Sequence, residues 1–227
     1  MEEIVLVKLA KNKDKRAFIE LINIIKKEIY LTAKIKLKDE KDIEEAIKNT
    51  ILKNFKNIKR LHNNNMFKIW IMKNHINECN KIEKKKKNKE IYKEKNLIKN
   101  KKCEEIKFNT LIKNLNNEEK VILTLYYCFK YSVKEISEIL RENENNINSK
   151  IIRSRNKIRN EIKTKNEKII DIEKILRNSG NIEIKIPNKI EKIIENTLDC
   201  LDKKMIFFLL FENRNNIPHI IRPTKVQ

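Results

Sequence analysis

Glycine is almost missing from this sequence: Gly180 stands alone among 227 residues. That excludes the phosphate-cradling loops G-x-x-x-x-G-K-[ST] and G-x-G-x-x-G, and the G-x-S-x-G nucleophile turn, each of which needs at least two glycines. Proline is nearly as scarce, with three residues, so little interrupts a helix. The four cysteines, Cys79, Cys103, Cys128 and Cys200, are scattered without a C-x-x-C pair. They fit reduced cytosolic thiols, not a disulfide framework. No apolar run approaches 18 residues, so no membrane span is expected. The N-terminus, MEEIVLVKLAKNKDK, lacks the basic start and long apolar core of a signal peptide. A cytoplasmic location follows as an expectation. No Ser-His-Asp or paired-carboxylate pattern stands out, and we expect neither enzymatic activity nor a cofactor. His75 and Cys79 lie four apart, on one face of a helix, but a metal site needs two more ligands, so no metal is expected.

What the chain has in excess is positive charge. Fifty-three Lys and Arg face 32 Asp and Glu, a formal net charge of +21. Such a balance implies a polyanionic partner, nucleic acid first and a membrane surface second. The abundant Lys, Ile, Asn and Glu point to helices and against sheets. The same bias fits an AT-rich genome, which inflates charge without function.

The stretch from Tyr131 to Lys163 organises the rest. Apolar residues fall at Val133, Ile136, Ile139 and Leu140, then at Ile147, Ile151, Ile152, Ile158 and Ile162. Within each half the spacing is that of a helix with one buried face. Ser132 with Glu135 three residues on forms a capping-box pattern for the first helix. A polar break, Arg141 to Asn146, separates the halves. A short helix, a turn and a longer helix make a helix-turn-helix, whose second helix enters the major groove. That second helix offers Asn145, Asn146, Asn148 and Ser149 in its first turn, suited to base edges. Lys150, Arg153, Arg155 and Lys157 follow, suited to phosphates or, for Arg153, to a base. The bland alternative is a solvated basic helix in a lysine-rich protein. Just upstream, Leu111 to Tyr127 reads as an amphipathic helix opened by Asn116 or Asn117, with Glu118 and Glu119 where the helix dipole favours them.

The run from Leu115 to Ile158 resembles the −35-binding region of bacterial sigma factors. The family pattern S-x-x-E-I-A-x-I-L is matched by Ser132 to Leu140, and V-x-S-R-x-x-R-A-R by Ile147 to Arg155, without a gap. The family places glycine before the first helix and in the turn. This chain has Lys130, Arg141 and Asn145 there. The opening LVKLAKNKDKRAFIEL resembles that of the extracytoplasmic-function sigma factors, with Lys13 in place of a glycine. Asp42 to Phe55, DIEEAIKNTILKNF, resembles the family's D-A-E-D-L-V-Q-E-T-F-L-K-A-W. The resemblance implies docking on the clamp helices of the large RNA polymerase subunit through Asp42, Glu45, Lys48, Asn49, Leu52 and Lys53. Lys48 and Asn49 replace the usual Gln-Glu pair. Phe67 to Lys85, FKIWIMKNHINECNKIEKK, resembles the segment that reads and opens the −10 element. By that resemblance Lys73 and Asn77, with Asn63 and Asn64 in the preceding loop, would meet DNA. Phe67 and Trp70, at helical spacing, are expected in the core.

Lys81 to Lys102 holds eleven lysines and three glutamates, a charged tether expected to be extended or loosely helical. After Lys163 the resemblance ends. Lys165 to Asn178 looks helical, and a further helix should bury Ile190, Ile193, Ile194, Thr197, Leu198 and Leu201. The phrase IEIKIPNKIEKIIENTL, from Ile182, resembles the start of some anti-sigma proteins. Met205 to Phe211, MIFFLLF, must be buried against something. The expectation is an all-α chain of two small helical domains, 1–82 and 103–163, joined by a basic linker, 83–102, and followed by a mostly helical extension, 164–227. The resemblance implies a sigma factor that binds core RNA polymerase and promoter DNA, with an anti-sigma factor as a further partner. Two alternatives stay open. One is a helix-turn-helix regulator that never touches polymerase. The other is a degenerate sigma-like interaction protein whose altered turns disable DNA reading.

Overall fold

The structure is a computed structural model that describes residues 2–90, 112–164, 176–177 and 185–197, with the backbone alone described at 87–90 and 161–164. Among these residues every regular element is helical, as expected. Four helices come first: α1 (Glu3–Lys11), α2 (Lys15–Lys36), α3 (Glu40–Asn57) and α4 (Phe67–Glu90). Two 3-10 turns, Ile58–Arg60 and Asn64–Met66, link α3 to α4. Then follow α5 (Asn117–Leu123), α6 (Val133–Leu140) and α7 (Glu144–Thr164). Residues 188–197 are also helical.

Local chemistry starts these helices where the sequence says it should. Asp14 caps α2 by accepting from the Ala17 N–H at 3.1 Å. Asp39 caps α3, two residues earlier than the stripe alone suggests. Asn116 with Glu119, and Ser132 with Glu135, form complete capping boxes on α5 and α6. Each reciprocal pair satisfies backbone N–H groups that would otherwise lack a partner.

The stripe on α2 is fully buried: Phe18, Leu21, Ile22, Ile25 and Ile29. Helices α1, α3 and α4 close around it. Phe18 meets Phe55 of α3 edge to face, with ring centres 5.1 Å apart. Phe67 is buried as expected, while Trp70 is only partly covered. The second group, α5 to α7, buries Val121, Ile122, Leu125, Ile136, Ile139, Ile147, Ile151 and Ile158. The two groups then pack together, α6 on α4 and α5 on α2, so one apolar cluster runs through both. A hydrogen bond crosses this junction, from the Tyr131 hydroxyl to Glu28 of α2 at 2.5 Å. Burial raises the pKa of the Glu28 carboxyl even though that bond works to lower it.

Some boundaries differ from the sequence pattern. The first helix ends at Lys11, before the Asp14 cap. Helix α4 continues to Glu90, into the lysine-rich stretch taken for the linker. The helix expected to run to Tyr127 changes to a π turn over Thr124–Cys128. The Phe129 N–H then bonds the Thr124 carbonyl and the Tyr131 N–H the Leu125 carbonyl. The turn before α7 is shorter than expected, because Asn143 accepts from the Asn146 N–H at 2.7 Å and draws Glu144 to Asn146 into the helix. Residues 91–102, most of 165–184 and the 205–211 apolar run lie outside the described residues.

Among the described residues, three non-glycines have positive φ: Lys13 (72°), Lys130 (60°) and Arg141 (60°). These are three of the positions where the sequence puts a long cation in place of an expected glycine. Asn145 instead sits inside α7. A left-handed conformation costs a residue with a Cβ about 1–2 kcal/mol. Replacing Lys130 or Arg141 by Gly should therefore raise the unfolding free energy by about 1 kcal/mol, after the greater flexibility of unfolded Gly is set against that relief. Urea denaturation of the two variants beside the parent chain measures it.

His75 is wholly buried between α3 and α4, with Thr50 Oγ1 2.8 Å from Nδ1 and Cys79 Sγ 3.6 Å from Nε2. Burial pushes its pKa down to about 4 and that of the Cys79 thiol up to about 12. Between about pH 4 and the ordinary histidine value of about 6.5, the unfolded chain binds the proton and the folded chain refuses it, so folding loses stability as pH falls. Stability should be complete above about pH 6.5 and decline by about 3 kcal/mol towards pH 4 from this group. His75→Gln should remove that part of the slope in unfolding measured across the range; an unchanged slope would reject the assignment.

Candidate nucleic-acid interface

Helix α6 ends where Arg141 turns left-handed and its N–H, like that of Glu142, returns to the Ser137 carbonyl. Two residues later α7 begins, which fixes the helix-turn-helix angle. On α7, Ile147, Ile151, Ser154 and Ile158 face the bundle. The opposite side is exposed at Asn145, Asn146, Asn148, Ser149, Arg153 and Lys157 and half-buried at Lys150 and Arg155. Asn145, Asn148, Ile152, Asn156 and Arg159 follow one another at three or four residues, and all are exposed. Ile152 departs from the periodicity argument, which counted it with the buried face. It is 49% exposed. Consecutive side chains on a helix point about 100° apart, and here Ile151 takes the core position while Ile152 turns outward.

The cations on α7 divide into two kinds. Lys150 lies 2.6 Å from both Glu118 of α5 and Glu142 of the turn. Burial works against its charge, but the two carboxylates outweigh it and raise the ammonium's pKa. Lys157 lies 2.6 Å from Glu119, itself buried at the start of α5. These two lysines brace α7 against α5. Arg153 is held to its own helix by a 3.3 Å bond from Nε to the Ser149 carbonyl, with its guanidinium exposed.

The other predicted residues lie on the first helical group. Asn63 caps the second 3-10 turn through the Asn65 N–H, and Asn64 accepts from Lys11 Nζ. On α4, Trp70, Lys73 and Asn77 form a half-exposed stripe. The neighbouring Asn74 is committed inward, donating to Asn54 at 2.6 Å. On α3, Glu45, Lys48 and Lys53 are exposed, while Asp42, Asn49 and Leu52 are half-buried. Asp42 pairs with Lys86 at the end of α4. Lys53 and Lys81 both reach Glu78, at 2.7 and 2.9 Å. Partial burial works against the Glu78 charge, but the two ammoniums hold its pKa below the usual carboxylate value. The six α3 positions form one continuous surface, separate from α7. The His75–Cys79 pair does share a helix face, but inside the core. Among the described residues no three His, Cys, Asp or Glu gather to hold a metal, and no helix is long and apolar enough to cross a membrane.

No curated protein is significantly similar to the chain in sequence. Residues 106–158 match the family described as Sigma-70, region 4. Among solved structures the fold is similar to that of CnrH in complex with the cytosolic domain of CnrY. The TM-score is 0.54 at 14% identity, over 71% of this chain and 97% of the other. The sequence match is thus to a sigma-70 region 4 domain over residues 106–158, and the likeness to CnrH is one of fold.

Proposed function

We propose that this chain is a sigma factor that binds core RNA polymerase and directs it to promoters. The observation that carries the proposal is the helix-turn-helix within residues 106–158, its second helix presenting polar side chains outward from a fold shared with CnrH. Helix α7 would lie in the major groove of the −35 element. Asn145, Asn146, Asn148, Ser149 and Arg153 are placed to meet base edges there, with Arg155 beside them for phosphates. Lys150 and Lys157 would meet phosphates only by leaving their carboxylate partners. Lys73 and Asn77 on α4, with Asn63 and Asn64 in the loop before it, would meet the −10 strand. The α3 surface from Asp42 to Lys53 would dock on polymerase. The CnrH structure contains the cytosolic domain of CnrY, and a protein of that regulatory kind is the natural further partner. The work would be done in the cytoplasm.

Run-off transcription with core polymerase, on a template from the chain's own upstream region, tests this. A discrete start that depends on the protein is the expected result. Specific DNA binding without a transcript would replace the proposal with a plain helix-turn-helix regulator. If neither appeared, an interaction protein that does not read DNA would take its place.

Two residues on α7 make the DNA contact testable in detail. Arg153→Ala should weaken binding to the cognate −35 duplex by about 1–3 kcal/mol if the guanidinium meets a base, and weaken scrambled DNA less. Equal losses on both would assign Arg153 to phosphate. Ile152 offers an apolar surface suited to a thymine methyl group. Replacing the facing thymine by deoxyuridine should weaken the parent chain and leave Ile152→Ala unaffected, as read by fluorescence anisotropy.

A further inference from the structure

The α3 surface assigned above to polymerase is not bare. The 188–197 helix lies across part of it. Ile190 and Ile194, one turn apart, are 1% and 3% exposed, and Thr197 is buried a further turn along. Ion pairs flank this apolar edge. Glu191 meets Lys26 of α2 at 3.2 Å, and Lys189 meets Glu44 of α3 at 2.5 Å with Glu40 at 3.7 Å. The helix therefore straddles α2 and α3. Its Ile193 and Asn196 face Glu45, Lys48 and Asn49 across a cleft of ≈ 440 Å³. Leu52 and Lys53 lie further along α3, beside a second cleft shared with α4, which the 188–197 helix does not line.

We propose that the 188–197 helix is an internal cover of the polymerase-docking face, which core polymerase displaces when it binds. The inference rests on the sigma-factor proposal. Two features suit the helix to this role. Its grip is a narrow apolar edge with ion pairs at the rim, and exposed ion pairs add little. It is part of the same chain, so its competition with an outside partner is intramolecular. A cover of this kind lowers the apparent affinity of an outside partner by the fraction of time the face is open. Leu52 and Lys53, which no part of 188–197 lines among the described residues, give polymerase a first contact from which to displace it.

The test uses the full chain and two full-length variants. Ile190→Asp with Ile194→Asp removes the apolar edge. Lys189→Glu, on an exposed side chain, sets a like charge against Glu40 and Glu44 without touching the core. Each is titrated with core RNA polymerase and, separately, with duplex DNA from the chain's own upstream region. The expected result is at least fivefold tighter polymerase binding by both variants, with DNA affinity unchanged from the parent. Equal polymerase affinity in all three chains would overturn the cover while leaving the sigma-factor proposal standing. Absence of polymerase binding in all three would overturn both.

Discussion

The apolar flank of α2 is buried from several sides: α1, α3 and α4 close one bundle around it, and α5 brings a second bundle onto it. Burial of isoleucine- and phenylalanine-sized side chains is worth roughly 1.5–3 kcal/mol each, so this stripe, rather than any polar contact, holds the two bundles as one body. The polar contacts at the junction tune it. The Tyr131–Glu28 bond satisfies a carboxyl that would otherwise be buried without a partner. The surfaces proposed to work, on α3, α4 and α7, face away from that flank and are positioned by it.

With 53 cations and 32 acids, carboxylates are the scarcer resource, and their placement shows which surfaces are held in fixed register. Glu78 gathers Lys53 and Lys81 between α3 and α4. Glu118 and Glu119 fix Lys150 and Lys157 of α7. Glu40 and Glu44 receive Lys189 from the 188–197 helix. Apart from Lys81, which shares α4 with Glu78, an acid on one helix orders a cation on another. Exposed pairs of this kind contribute little energy one at a time; their effect is on register and on which cations stay available to a polyanion.

The helices were legible because period and caps are local signals. Asn116 and Ser132 could be named as starts before any packing was known. The three left-handed cations were legible only through the resemblance: nothing in the residues themselves marks Lys13, Lys130 or Arg141 as a turn, since a lysine or arginine there is locally unfavourable. Other features depend on contacts between distant parts of the chain. Whether Ile151 or Ile152 takes the core position of α7 is decided by the bundle beneath, and periodicity allowed both. The π turn at Thr124–Cys128 has no composition signal of its own. Ile190 and Ile194 were readable as a buried edge, but their seat on α2 and α3 was not, because the pairing of Lys189 with Glu44 spans most of the sequence. The assignment of α3 and α4 residues to particular partners came from resemblance, while that of α7 came from the helix-turn-helix pattern and its polar, basic outer face.

In the proposed role, the bracing of α7 by Glu118 and Glu119 would bear on how the protein searches a chromosome. Loose, sequence-independent adhesion to DNA is driven by freeing small ions from phosphates, one for each lysine or arginine that takes their place. A lysine already satisfied by a carboxylate gains less from that exchange, because it must give up one anion to meet another. Lys150 and Lys157 thus contribute less to indiscriminate sticking than the charge total suggests. In a chain with so much positive charge, that restraint falls on the helix where short residence on wrong sequences matters most.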